Sequence, residues 1–404
     1  MTRLIHQAWL TALPTVAVLD ALTRADGEGR FVGGCVRDAL IGRPVSDIDI
    51  ATPLRPEIIV SAVEAAGLKA VPTGIEHGTI TVVSSGRPYE VTTLRRDVST
   101  DGRRATVAFS EDWNADAARR DFRLNALYAD RTGVVFDPTG EGISDALAGR
   151  IVFVGDAERR IREDYLRILR FFRFRAWFGR DEPDATAVEA CAHLKDGVHQ
   201  LSAERVSSEL LKLLSAPDPR PALDLMIETG VLSEVLPCAE RTPLFRSMVE
   251  IDSDPLMRLS ALLPADPNVV RAAAEALRLS NVHKARLLAT LPDQPAVDVG
   301  MDDTVARVAL YRLGRQTFRD RLVRAWAAGP VAEERARRLL ALADAWQRPA
   351  FPITGADLKA AGMRPGPRMG RLLEDLENWW IAEDFPEAGL EDRLAALLAE
   401  RGAE

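Results

Sequence analysis

Phe31-Val32-Gly33-Gly34-Cys35-Val36-Arg37-Asp38 is followed eight residues later by Ser46-Asp47-Ile48-Asp49-Ile50. A glycine pair leads into a short basic turn, and an alternating acidic strand comes after it. Successive side chains of a strand point to opposite faces. Asp47 and Asp49 therefore share one face, while Ile48 and Ile50 point into a core. Two carboxylates about 7 Å apart along one face can hold Mg²⁺, a hard cation typically bound by a few carboxylates together with substrate phosphates. Gly33 and Gly34 let the backbone approach a phosphate, and a helix beginning there would turn its N-terminus toward an anion. An Asp-x-Asp alone is common, and a Gly-Gly alone is usually a turn. Their fixed order, with Arg37 and Asp38 between them, points to nucleotidyl transfer.

Working outward, 404 residues are enough for two or more domains. A chain that is 47% hydrophobic and 28% charged fits a soluble globular protein. No apolar run is as long as a membrane span, and the N-terminus lacks the pattern of a signal peptide. Cys35, Cys191 and Cys238 are odd in number and far apart, so they make neither a disulfide framework nor a zinc pattern. A reducing, cytoplasmic setting fits. The net charge of −8 argues mildly against a nucleic-acid partner, but local distribution outweighs the sum. Arginines stand at 159, 160, 162, 167, 170, 173 and 175, and within that stretch only Glu163 and Asp164 oppose them. An acidic chain can still carry a basic groove.

The expected fold class is α+β. Short strands are expected at Gly29–Val32, Ser46–Ala51, Thr79–Ser84, Tyr89–Thr93 and Val134–Asp137. Helices are expected near Thr11–Thr23, Arg37–Ile41 and Pro56–Ala66. The polar stretch Asp97–Arg104 reads as a mobile loop. After Gly149-Arg150-Ile151-Val152-Phe153-Val154 the character changes, and from Ala157 onward almost every segment has helical periodicity. Breaks fall at Pro217, Pro219 and Pro221, at Pro264–Pro267 and at Leu291–Pro295. The head therefore ends near residue 150, and the remainder is all helical.

Further candidates come from the same reasoning. Glu90, polar within the strand-like Pro88-Tyr89-Glu90-Val91-Thr92-Thr93, is the best third carboxylate; its ordinary alternative is a solvent-facing strand residue. Paired ions at such a site stabilise the attacking and leaving oxygens of an in-line displacement. In Ala118-Arg119-Arg120-Asp121-Phe122-Arg123-Leu124-Asn125-Ala126, Arg119 or Arg120 can grip a triphosphate, since guanidinium donors match phosphate oxygens. Asp121 and Asn125 would orient them. On a helix, Asp164 and Arg167 are i,i+3 neighbours, and Arg170 and Arg173 continue the spacing. A carboxylate accepts and a guanidinium only donates. Asp164 with Arg167 could therefore pair with the amino donor and ring-nitrogen acceptor of cytosine or adenine. Guanine and uracil would leave groups unpaired, which discriminates strongly.

Laid in order, these elements resemble the class II nucleotidyltransferases that build or repair the 3′-terminal CCA of tRNA, a pattern shared with bacterial poly(A) polymerases. The resemblance is carried by FVGGCVRDALIG (31–42), SDIDIAT (46–52), YEVTTLR (89–95), ARRDFRLNA (118–126), EDYLRILRFFRF (163–174) and SAERVSSELLKLL (202–214). The later stretches ALRLSNVHKARL (276–287) and FPITGADLKAAGMRPGPRMGRLL (351–373) also look similar. It implies a polymerase-β-like head with a mixed sheet at 1–150, then a helical neck at 151–215 that reads the base. A helical body at 216–290 and a tRNA-gripping tail at 291–404 would follow. It implies that Gly34 and Arg37 contact the incoming nucleotide and that Asp47 and Asp49 bind Mg²⁺, with Glu90 as third carboxylate. Arg119 or Arg120 would meet the triphosphate. Asp164 and Arg167 would read the base, supported by Arg170 and Arg173. Ser202–Leu214 would brace the reading helix, and the loop at 97–104 would assist the switch from C to A.

The implied activity is addition of C, C and A from CTP and ATP to tRNA, with Mg²⁺ and without a nucleic-acid template. No membrane and no obligate protein partner are expected. The alternatives are a poly(A) or A-only adding enzyme and, in another class, a catalytically silent RNA-binding protein. Two positions depart from the family pattern: Arg123, where threonine is usual, and Ser99, where an aromatic is expected. None of the five histidines is followed by Asp, so a phosphohydrolase domain with a second metal centre is not expected. In the tail, Arg307, Arg312, Arg315, Arg319, Arg321 and Arg324 recur on helical spacing, as a solvated face or as phosphate contacts. Trp379-Trp380 reads as packing rather than base stacking.

Overall fold

The computed structural model describes residues 2–4, 7–100, 105–239, 243–329, 333–360 and 362–402. Its fold is α+β. In chain order the head comprises α1 (Ala8–Thr11), α2 (Leu13–Arg24), β1 (Arg30–Val32), α3 (Gly34–Leu40), β2 (Asp49–Thr52), α4 (Pro56–Ala65), β3 (Lys69–Gly74), β4 (Thr79–Ser84) and β5 (Arg87–Thr93). It continues with β6 (Arg95–Thr100), β7 (Ala105–Phe109), α5 (Trp113–Ala118), β8 (Tyr128–Ala129), β9 (Val135–Phe136) and α6 (Gly142–Ala148).

Seven strands form one mixed sheet in the order β3-β4-β5-β2-β1-β8-β9. Only β2 and β5 run parallel, and they pair Asp49 with Glu90 and Ile50 with Val91. Alternation works as the sequence requires. Ile48, Ile50, Tyr89 and Val91 are buried, whereas Asp47 and Glu90 are exposed and Asp49 is half-buried. Helices α2 and α4 pack against the sheet. The Tyr89 hydroxyl meets the Thr15 hydroxyl of α2 at 3.0 Å beneath it.

Three expectations need correction. The acidic strand does not begin at Ser46: its ladder starts at Asp49, and Asp47 lies in the lead-in just before it. The helix after the glycine pair begins at Gly34 rather than Arg37, because Gly33 turns the chain at φ +71° and its carbonyl accepts from the Arg37 amide. Within the stretch expected as a loop at 97–104, Asp97–Thr100 is strand, since β6 and β7 pair as a separate two-stranded sheet from Arg95↔Phe109 to Thr100↔Ala105. Residues 101–104 lie outside the described residues.

The helices α7 (Ala157–Glu163), α8 (Leu166–Phe178), α9 (Ala185–His193), α10 (Ala203–Leu214), α11 (Arg220–Glu228) and α12 (Val231–Val235) complete the first of two compact units, Met1–Pro237. Phe122 and Phe153 pack with Phe171 and Phe174 of α8, joining head and helices through one aromatic cluster. α10 lies against α8 and buries Val206, Leu210, Leu213 and Leu214. The unit border falls at Pro237/Cys238, inside the segment 216–290.

The second unit, Cys238–Glu404, is helical throughout its described residues apart from its connections. Its helices stop where the prolines stand: one ends at Leu262, the next starts at Pro267, and none spans 291–302. The tail arginines are largely tied within this unit. Arg307 pairs with Asp384 and Arg319 with Asp344, at 2.7 Å and 2.8 Å. Arg321 and Arg324 are buried, giving their donors to carbonyls of Ala289 and Ser260. The run is not one uniform face: these four are tied within the unit, whereas Arg312 and Arg315 are exposed. Trp380 is buried against Tyr311 and Phe385, as packing requires.

Candidate active site

The site grows from the β2–β5 register. Parallel partners one strand apart project to the same face, so pairing Asp49 with Glu90 sets two carboxylates side by side, with Asp47 two residues upstream on that face. Burial, then the charge of Glu90 and that of Asp47, push the Asp49 carboxyl up to about 6, against the pull of Arg120. Asp47 accepts from the Ser46 hydroxyl at 2.9 Å. Beneath the strand, Cys35 is a buried thiol lying 3.8 Å from the Asp49 carbonyl, and burial pushes its pKa up to about 12. Among the described residues, no three His, Cys, Asp or Glu side chains gather as a ready-made cage for an ion.

The glycines lie beside this cluster. A Cβ at Gly33 would stand 3.4 Å from Arg120 Nη1, and one at Gly34 would stand 3.7 Å from Arg37 Nη2. Arg120 is held by Asp116, at 2.9 Å from Nη2, and by the Tyr128 hydroxyl at 3.2 Å. Asp116 is buried. Burial opposes its ionisation, but Arg120, Arg119 and the Tyr128 hydroxyl hold its carboxyl below the usual range. Arg119 lies 3.6 Å from the same carboxylate.

Asp121 is the hub of the arrangement. One oxygen accepts from the Phe122 amide at 2.8 Å and from the Asn125 amide group at 3.1 Å. The other accepts from Arg170 Nε and Nη2, at 2.8 Å and 2.5 Å. Burial disfavours its charge, yet Arg170, Asn125 and the Phe122 amide bring its carboxyl down to about 2. Asn125 in turn accepts from Arg37 Nη1 at 2.5 Å. Arg37, 7% exposed, also donates to both Asp38 oxygens at 3.0 Å and lies over the Phe178 ring at 4.0 Å. A single chain of contacts thus runs from α8 through the Arg-Arg-Asp segment to α3.

Around α8 the sequence picture changes. The Asp164 and Arg167 side chains each have a partner of their own. Asp164 is extended, one residue before the turn into α8, and it accepts from the Leu166 amide at 3.1 Å and from Arg205 of α10 at 2.7 Å. Arg167 donates to Glu163 and to the Arg160 carbonyl, both at 2.6 Å. Arg173 donates to Glu209 of α10 at 2.5 Å. The arginine run is not an open basic groove: Asp121, Glu158 and Glu209, all outside the stretch counted in the sequence, neutralise Arg170, Arg162 and Arg173. Arg123, half-exposed, pairs with Glu141 and lies 3.8 Å from Asp145 of α6.

Sequence reasoning missed Arg160, Asp116, Tyr128, Arg205 and Glu209 as parts of this site. Glu209 had a signal, as an acid on the buried side of an amphipathic helix. Arg160 had none beyond its place in the basic run.

Two family models match the chain: "Poly A polymerase head domain" over residues 29–152 and "Probable RNA and SrmB- binding site of polymerase A" over residues 182–242. The mitochondrial CCA tRNA nucleotidyltransferase 1 of Mus musculus is 31% identical over 90% of this chain and 85% of its own. The CCA-adding enzyme of Geobacillus kaustophilus is 33% identical over 96% of each. This chain belongs to the CCA tRNA nucleotidyltransferase family. The crystal structure of the Bacillus stearothermophilus CCA-adding enzyme in complex with CTP superposes on it with a TM-score of 0.75, covering 98% of both chains at 27% identity. The family accounts for the mixed sheet followed by helices, and the carboxylate face of β2 and β5 lies within the matched head.

Proposed function

We propose that this chain adds the 3′-terminal CCA to tRNA, joining CMP from CTP and AMP from ATP to the RNA 3′-hydroxyl with release of pyrophosphate. The observation that carries this reading is the in-register pair Asp49 and Glu90, with Asp47 on the same face. Burial, with the charges of Glu90 and Asp47 beside it, raises the Asp49 carboxyl. The all-oxygen donor set suits Mg²⁺, which is commonly held by one or two carboxylates plus substrate phosphates. Asp47 and Asp49 would hold it, with Glu90 as neighbour. When bound, the metal lowers the pKa of the attacking hydroxyl and neutralises charge on the phosphates.

The chain's own groups supply position. Gly33 and Gly34 leave room beside Arg120 and Arg37 for a triphosphate. Arg119 and Arg120 offer guanidinium donors from a fixed backbone, while Arg37 and Arg170 hold that backbone through Asn125 and Asp121. Asp164 and Arg167, each anchored by its own partner, present an acceptor and donors to the base edge. Arg173 supports α8 through Glu209. In this reading residues 1–150 act as catalytic head, 151–215 as base-reading neck, 216–290 as body and 291–404 as tRNA-binding tail. Among the described residues no helix is long and apolar enough to cross a membrane, and the three free cysteines fit a cytoplasmic setting.

The test is end-sequencing of a tRNA lacking its 3′ end after incubation with all four nucleotides and Mg²⁺. Ordered addition of C, C and A is expected. Asp49→Ala should abolish addition while tRNA binding persists. Incorporation of ATP but never CTP would refute the full role, and a long adenylate ladder would identify a poly(A) polymerase instead. Undiminished addition by Asp49→Ala would overturn the carboxylate assignment.

A further inference from the structure

We propose that Arg160 is a positioning residue that sets nucleotide choice, because it ties the main chain of Arg119 and Arg120 to the α7–α8 elbow carrying Arg167. The inference rests on the reading of Arg167 as part of the base-selecting surface and of Arg119–Arg120 as the triphosphate grip.

Arg160, in the last turn of α7, is only 5% exposed. Its guanidinium meets three acceptors from two separate segments: the Arg119 carbonyl, the Arg120 carbonyl at 2.7 Å and the Glu163 carboxylate. The two carbonyls stand where α5 has just ended at Ala118, so no further helical turn supplies them with amide donors. A cation is favoured at that end of a helix. Glu163 accepts simultaneously from Arg167 Nη1 at 2.6 Å. The same nitrogen donates to the Arg160 carbonyl at 2.6 Å, and Arg167 Nη2 lies 3.4 Å from the Arg119 carbonyl.

Arg160, Glu163, Arg167 and the main chain at 119–120 therefore form a closed ring of contacts. A base that displaces Arg167 pulls on Glu163 and Arg160, and through them on the backbone that aims the two phosphate-gripping arginines. Correct pairing at the base and correct aim at the triphosphate become one event. Displacement of a reacting group by about 1 Å can cost on the order of a hundredfold in rate. Only a planar fork can serve all three acceptors; the lysine ammonium is a single point of donors on a flexible stem.

The experiment is competition between CTP and UTP, and between ATP and GTP, on a truncated tRNA, with the full chain and its Arg160→Lys variant. The expected result is a fall of about tenfold or more in the preference for CTP over UTP and for ATP over GTP, with tRNA affinity unchanged. A competition ratio does not depend on how much of the enzyme is folded, so a merely structural role would lower all four rates together and leave both ratios intact. Arg160→Met, which removes every donor while keeping much of the volume, should give the same loss in the same assay. Ratios within twofold of the parent in both variants would overturn the proposal. A parent enzyme that adds no nucleotide would instead sink the functional reading itself, so the two failures are distinguishable.

Discussion

Replacing Asp121 by asparagine removes one negative charge at the point where α8 meets the Arg-Arg-Asp segment. The size of the effect can be worked from the carboxyl itself. Its pKa falls from an ordinary 3.8 to about 2, and at 1.36 kcal/mol per pK unit that is worth about 2 kcal/mol of folding stability at neutral pH. Little of this is screened by solvent, because the Asp121 side chain is 9% exposed and that of Arg170 is 31%. The sign follows from the direction. A carboxyl depressed in the folded state contributes its full stability above the unfolded value, and loses it as pH falls through the folded one. Wild type should exceed Asp121→Asn by about 2 kcal/mol at pH 7, by roughly half that near pH 3, and by little below pH 2. Because the chain has two compact units, whole-protein melting would mix them. Amide exchange of peptides from α8 across a urea series reads the first unit alone. A difference that stays constant from pH 7 to pH 3 would refute the charge argument and leave only packing. A difference above 4 kcal/mol at pH 7 would mean that the stranded Arg170 charge, rather than the lost attraction, dominates.

Further expectations can be checked alongside. Gly33→Ala places a side chain at φ +71° and 3.4 Å from Arg120 Nη1; it should cost about 1–2 kcal/mol and raise KM for CTP severalfold with tRNA affinity unchanged, and an unaltered KM would remove Gly33 from the nucleotide site. Arg123→Thr removes a half-exposed partner of Glu141 and Asp145, while Asp145 retains Arg150 at 2.9 Å. Stability should therefore change by no more than about 1 kcal/mol, and kcat/KM for both nucleotides should stay within threefold; a larger kinetic loss would place Arg123 at the substrate. In the second unit, Arg312→Gln alters an exposed side chain and should lower the slope of log K against log salt for tRNA by up to about one. Arg324→Gln alters a buried side chain bound to Ser260 and should leave that slope unchanged while lowering stability; the opposite pattern would exchange their roles.

The carboxylate face was legible because a two-residue period needs only a correct strand assignment: Asp47, Ile48, Asp49 and Ile50 alternate as read, even though the ladder begins at Asp49. The pairing of Glu90 with Asp49 was not legible, since register between strands forty residues apart depends on the whole sheet. Strand β3 escaped notice because Pro72 and Gly74 weaken its signal, and an edge strand tolerates such residues. Asp97–Thr100 misled because its composition is polar, whereas a strand paired through main-chain hydrogen bonds needs little hydrophobic patterning. The arginine run misled for a related reason. Charge counted within one stretch omits acids brought in by other elements, here Asp121 and Glu209. The same blindness hid that Arg205 and Glu163 hold Asp164 and Arg167, and that Asp164 lies in the extended turn before α8 rather than on the helix.

These internal pairings decide how the site must work. A guanidinium already bound to Asp116 and Tyr128, as Arg120 is, cannot swing far to meet a phosphate. A carboxylate bridging Arg170 and Asn125, as Asp121 does, cannot leave to act as a base without stranding both. The mobile polar groups of the site are therefore few, and nucleotide must come to a largely preformed surface. Preformed dipoles and charges cost no reorganisation when the reaction occurs, and that is where electrostatic catalysis draws most of its strength. Against this scaffold, burial and the repelling charges of Glu90 and Asp47 raise the Asp49 carboxyl. A divalent cation and the triphosphate it accompanies would relieve that repulsion without moving the arginine scaffold, so binding energy is directed to the reacting phosphates rather than to remodelling the protein.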